Sequence, residues 1–161
     1  MGLLSLSGCH IEKYLSTYFS PNTHLLGEAL ALFFLGALFR LPSGRRWREL
    51  GWDILLREAG RQVRPDGFYW EQSTYYHVYA LDMFLHARIL AALNGIAIPD
   101  EFDQTLQRML NALLLLSRAG VPPMFGDDDG GRLFDPRRVR AEHMLDPLAT
   151  GAVLYLSLIH I

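Results

Sequence analysis

The stretch Thr23-His24-Leu25-Leu26-Gly27-Glu28-Ala29-Leu30-Ala31-Leu32-Phe33-Phe34-Leu35-Gly36-Ala37 decides the fold class. Leu26, Ala29, Phe33 and Ala37 recur at helical spacing, and the run closes at Leu41-Pro42-Ser43-Gly44, residues that stop a helix and turn the chain. Thr23 stands where a helix cap belongs. The most apolar part, residues 29–39, is too short to cross a bilayer and is bracketed by Glu28 and Arg40, so the pattern predicts a buried helix.

The same punctuation repeats on both sides of this segment. Residues 11–18 read as a short amphipathic helix or turn, closed by Ser20-Pro21-Asn22. Trp47, Leu50, Ile54 and Leu55 predict a helix up to about Val63, where Arg64-Pro65-Asp66-Gly67 makes a turn. A long helix is expected from about Gln72 to Leu93, ended by Asn94-Gly95 and Pro99. Asp100 can cap the next, which runs through Phe102, Leu106, Met109, Leu113 and Leu116 towards Gly120. Gly126-Asp127-Asp128-Asp129-Gly130-Gly131 is a loop, and Asp146-Pro147 opens a last helix. No stretch sustains an alternation of period two. Long helices with short connections predict an all-α domain of stacked antiparallel helical hairpins, one arc of a toroid.

Composition bounds the function. The chain has 161 residues, 50% of them hydrophobic and 20% charged, enough to bury one core and too apolar for a disordered segment. A net charge of −2 argues against a nucleic-acid partner held by overall charge. The single cysteine, Cys9, excludes internal disulfides and a Cys-based zinc site. Lys13 is the one lysine among fifteen basic residues; the arginines offer planar forks suited to carboxylate and sulfate. Leu6-Ser7-Gly8-Cys9 has the look of a lipoprotein cleavage box, but it lacks the basic and apolar regions that an export signal needs. Both ends read as cut from a longer protein, with residues 1–155 as the domain and residues 156–161 as a doubtful tail.

Two segments carry polar residues that a packed helical protein does not need. In Ser20-Pro21-Asn22-Thr23-His24-Leu25-Leu26-Gly27-Glu28-Ala29, Asn22 and Thr23 sit at a helix N-terminus, whose free N–H groups favour an anion, and His24 and Glu28 share one helix face. A cap followed by a polar i,i+4 pair explains the same residues without a ligand. In Trp70-Glu71-Gln72-Ser73-Thr74-Tyr75-Tyr76-His77-Val78-Tyr79, three tyrosines and a histidine gather at a helix start. They suit either proton transfer or an aromatic belt between helices. His86, on a stripe with Tyr75, Tyr79 and Asp82, reads as a paired structural histidine. The acidic loop lacks the alternating ligand spacing of a calcium site and reads as a solvated turn. Arg137, Arg138 and Arg140 read as a solvated charge run.

Taken together, these segments resemble the N-terminal helical domain of heparinase II/III-like polysaccharide lyases. The resemblance runs from about His10 to Tyr155 and is carried by residues 18–29, by Asp66-Gly67 leading into Glu71-Gln72-Ser73-Thr74-Tyr75-Tyr76-His77, and by Gly126-Asp127-Asp128-Asp129-Gly130. It implies an incomplete (α/α) toroid, followed in the family by a β-sandwich domain that this chain lacks. It implies β-elimination on uronic-acid polysaccharides of the heparan sulfate or alginate type. In the family's scheme Asn22 neutralises the uronate carboxylate and Tyr76 is the catalytic tyrosine. His24, Glu28, Gln72 and His77 complete the motifs as substrate-binding residues. Thr23 stands between Asn22 and His24, where some members place the amide directly beside the histidine. A further catalytic histidine of the family is expected beyond residue 161.

The implied partner is an acidic polysaccharide, with no nucleic acid, membrane span, metal or cofactor, and the implied location is periplasmic or secreted. A non-catalytic protein that binds acidic glycans or assists exopolysaccharide assembly on the same fold is the alternative; a plain helical scaffold is the third reading. The lyase reading makes a geometric demand. Asn22, His24 and Tyr76 must converge on one cleft, within about 10 Å for groups acting on one sugar ring. Tyr75, about 100° further round the helix, should point into packing.

Overall fold

A computed structural model describes residues 2–130 and 143–156. Six helices appear among them: α1 (Leu3–Lys13), α2 (Thr23–Leu38), α3 (Gly44–Gln62), α4 (Thr74–Leu93), α5 (Asp100–Leu116) and α6 (Asp146–Tyr155). Arg137, Arg138 and Arg140, the end of the acidic loop at Gly131, and residues 157–161 lie outside the described residues. The all-α expectation holds. The one departure among the described residues is a single antiparallel bridge, Val63 to Tyr69, that closes the turn between α3 and α4.

The α2–α3 hairpin forms because two glycines let the helices approach closely. A Cβ at Gly51 would lie 2.4 Å from the Ala29 carbonyl oxygen, and one at Gly36 would lie 2.2 Å from that of Gly44. Between them Phe33 stacks on Trp52 at 5.1 Å, and Trp52 meets the edge of Phe102 at 5.4 Å. This joins α2, α3 and α5 in one apolar core. Thirteen of the twenty residues of α4 are buried, so α4 is the central helix. The bidentate Arg88 guanidinium and the Tyr155 hydroxyl both reach Asp103, tying α4, α5 and α6 together.

Local boundaries correct the sequence reading in four places, one being α5, where Asp100 is the first helical residue after Pro99 and its side chain makes no cap. The first helix is Leu3–Lys13 rather than residues 11–18. Its apolar residues did not betray it, because Leu3 and Leu6 are exposed while Ser5 and Gly8 face inward. Gly8, the glycine of the lipoprotein-like box, lets α1 lie on Trp47, whose ring sits where a Cβ would be. The cap of α2 is Asn22 and not Thr23. The long helix begins at Thr74, capped by Ser73, two residues after the expected onset. No helix among the described residues is long and apolar enough to cross a membrane.

Candidate active site

Three segments meet at the N-terminal ends of α2 and α4. The chain leaves α3 through the 64–67 turn and doubles back, with the Trp70 N–H donating to the Gln62 carbonyl at 2.8 Å. It then bends sharply at Gln72, whose φ of 57° is a left-handed conformation that costs a non-glycine residue about 1–2 kcal/mol. That bend carries Glu71 towards α2 and leaves Ser73 in extended backbone, where its hydroxyl accepts from the Tyr76 N–H at 3.2 Å.

Asn22 is fixed from both sides. Its Oδ1 accepts from the His24 N–H at 3.1 Å, which caps α2, and its Nδ2 donates to Glu71 Oε1 at 2.9 Å. Because the cap requires the oxygen to face the helix, the amide has one orientation and its nitrogen must face Glu71. The other Glu71 oxygen, Oε2, is buried and has no hydrogen-bond partner among the described residues. Glu71 thus joins the two motif segments, a role that its place in the second motif did not reveal.

The acidic loop is built into this site. The Thr74 N–H donates to the Phe125 carbonyl at 3.0 Å, and the Thr74 hydroxyl donates to the Pro123 carbonyl at 2.9 Å. The Ser73 hydroxyl donates to the Asp127 carbonyl. Gly126, at φ 77°, presses so closely on Ser73 that a Cβ would lie 2.7 Å from the Ser73 Cα. The reading of this loop as a mere solvated turn missed that contact. Tyr76, in the first turn of α4, is partly exposed. Partial burial, then Asp129, Asp127, Glu71 and Asp128, push the Tyr76 phenol above its ordinary value, so the hydroxyl keeps its proton.

The remaining motif residues divide. Gln72 and His24 are exposed beside Asn22 and the start of α4. Tyr75 is buried, its ring near those of Tyr79 and His143, as the one-residue offset from Tyr76 requires. His77 is 1% exposed, with its Nδ1 accepting from the Tyr69 N–H at 3.2 Å and its Nε2 3.1 Å from the Met109 carbonyl. Both nitrogens are spent inside the protein, so His77 holds the 69–77 segment against α5. Burial pushes it down to about 4, and it is neutral. Glu28 spends both oxygens on Ser16, accepting from its N–H at 2.6 Å and its hydroxyl at 2.7 Å, and so clamps the α1–α2 connection. His86 bonds to the Asp82 carbonyl at 2.8 Å within α4, the structural pairing expected of it.

The fold defines the class: a stack of helical hairpins from an (α/α) toroid, with Asn22 and Ser73 capping α2 and α4. The chain belongs to the heparinase II/III N-terminus family, whose model matches residues 5–135. It is 37% identical over 119 residues to a heparin-sulfate lyase of Pedobacter heparinus, covering 71% of this chain and 18% of that one. A heparin-sulfate lyase of Bacteroides stercoris is 34% identical over 104 residues, covering 63% of this chain and 16% of that one. Among solved structures, a heparinase III superposes with a TM-score of 0.71 at 27% identity, over 93% of this chain and 22% of that one. The heparan sulfate lyase HepC of Pedobacter heparinus gives 0.68 at 27% identity, with the same coverage. The chain therefore spans about a fifth of the length of the relatives it matches.

Proposed function

We propose that this chain forms the uronate-recognition part of a lyase that cleaves heparan-sulfate-like polysaccharides by β-elimination. The observation that carries the reading is the Asn22–Glu71 hydrogen bond, which unites two motif segments and brings a fixed amide to the helix end that bears Tyr76. The C5 proton of a uronate is hard to remove while its carboxylate keeps full charge. An amide N–H at the positive end of α2 stabilises the charge that develops there as the proton leaves. That proton passes to a base, for which the further catalytic histidine expected beyond residue 161 is the candidate; its loss forms the C4–C5 double bond and expels the glycosidic oxygen, which must take up a proton. Tyr76, whose phenol is raised by burial and then by the neighbouring carboxylates, keeps its proton and is suited to donate it. His24 and Gln72, both exposed near Asn22, are the remaining side chains assigned to contact with the sugar.

The relatives' names support heparan sulfate over alginate as the substrate class. A polymer of that kind is met outside the cytoplasmic membrane, which implies a periplasmic or secreted location. The test is to express the protein from its complete reading frame and follow the absorbance of the unsaturated uronate. Heparan sulfate should give a rising signal that is lost in Tyr76→Phe and Asn22→Ala. Binding without any absorbance gain would favour a glycan-binding protein on the same fold.

A further inference from the structure

The residues that hold Asn22 and Glu71 together form a closed ring. Gln62, at the end of α3, is 1% exposed and projects between the two motif segments. Its Nε2 donates to the Pro21 carbonyl at 2.8 Å and to Glu58 Oε2 at 2.9 Å, and its Oε1 accepts from the Tyr69 hydroxyl. Pro21 precedes Asn22, and Tyr69 stands two residues before Glu71. The ring thus runs Gln62, Pro21, Asn22, Glu71, Tyr69 and back to Gln62, closed by the Asn22–Glu71 bond. Glu58, 2% exposed and paired with Arg57 and Arg61, fixes which end of the Gln62 amide is the nitrogen. Both N–H groups and the oxygen of Gln62 are used, so the amide cannot flip without breaking three bonds in a buried place.

We propose that Gln62 is a positioning residue for Asn22: it sets the spacing between the Pro21 carbonyl and the Tyr69 hydroxyl, and through them the point where the Asn22 amide meets Glu71. This deepens the proposed function, and rests on it for the statement that Asn22 faces a uronate. Gln62 is one helical turn from Glu58 and buried on the core side of the site. It acts through Pro21 and Tyr69 and does not touch the sugar. A leucine of similar size would fill the space and hold nothing.

Two variants test it in the chain as it stands: Gln62→Leu, which removes the hub, and Tyr69→Phe, which deletes a single hydroxyl and leaves the packing. The readouts are thermal stability, the NMR signals of the Asn22 side-chain amide, and affinity for a heparan sulfate tetrasaccharide. Tyr69→Phe should keep the fold, shift and broaden the Asn22 amide signals, and weaken the tetrasaccharide roughly tenfold or more, the cost of weakening one hydrogen bond to a charged group. Unchanged Asn22 signals in a folded Tyr69→Phe protein would overturn the proposal, whatever happens to stability. If the parent chain binds no tetrasaccharide, the uronate reading fails on its own, and the amide signals still decide whether Gln62 positions Asn22.

Discussion

Asn22 Nδ2 donates to Glu71 Oε1 at 2.9 Å across 49 positions of sequence, while Asn22 Oδ1 caps α2. The pair makes Asn22→Asp an informative change. Aspartate caps a helix as well as asparagine does, so the cap survives. Its second oxygen, however, would face Glu71 with no donor between two carboxylates. The loss should be about 1–3 kcal/mol, the cost of leaving a partly buried acceptor unpaired beside a second carboxylate. Urea denaturation should show Asn22→Asp destabilised, and the double variant Asn22→Asp with Glu71→Gln restored, because glutamine supplies the missing N–H. Equal stability of the two would mean that Glu71 is not what holds the amide.

His77 should govern part of the acid stability. Burial, opposed only in part by the Met109 carbonyl, holds it at about 4. In the unfolded chain it takes a proton below about 6.5. Between these values the unfolded state binds more protons than the folded one. Stability therefore rises with pH through that window and is lost as pH falls through it, by on the order of 3 kcal/mol at the lower end. His77→Gln can still accept from Tyr69 and donate to Met109 but does not titrate. Urea midpoints at pH 7 and pH 5 should differ clearly for the parent chain and much less for the variant. An equal pH dependence in both would place the acid sensitivity elsewhere.

The helices were legible because their apolar spacing and their Pro and Gly stops act locally, as at Leu41-Pro42-Ser43-Gly44. The α1 boundaries were not, because a helix that buries Ser5 and Gly8 and exposes Leu3 carries a misleading pattern. At the site, Asn22 and Tyr76 stood out by resemblance, and the offset of Tyr75 from Tyr76 followed from helix geometry. His77 and Glu28 have the right residue types for sugar contact, yet tertiary structure spends their polar atoms on Tyr69, Met109 and Ser16. The roles of Glu71, quoted in the motif, and of Gln62, not singled out at all, were hidden for the opposite reason. Their partners lie 49 and 41 positions away, and no local spacing encodes such a pairing.

The acidic loop should set the proton affinity of Tyr76. After partial burial, Asp129 is the largest influence that raises the phenol. Asp129→Asn removes one negative charge, stabilises the phenolate relative to the phenol, and should move the Tyr76 titration downward. The effect is read by NMR of tyrosine ring carbons during a pH titration, with the Tyr76 signal assigned from Tyr76→Phe. A Tyr76 titration that stays in place would show that the loop charge is screened from the phenol.

Gly126 should control the same property from the backbone. At φ 77° it occupies a conformation that costs an L-residue about 1–2 kcal/mol, and an added Cβ would lie 2.7 Å from the Ser73 Cα and 2.8 Å from its Cβ. Neither is a flexible side-chain end, so Gly126→Ala must push the loop off the start of α4. The bond from the Ser73 hydroxyl to the Asp127 carbonyl then opens, and the three aspartates move away from Tyr76. The expected result is a loss of about 1–3 kcal/mol, typical of overpacking, together with a fall in the Tyr76 titration in the same direction as Asp129→Asn. Because both changes act through one electrostatic contact, the double variant should move Tyr76 by less than the sum of the singles. Additive shifts would mean that the loop stays seated and that Gly126 serves only the turn.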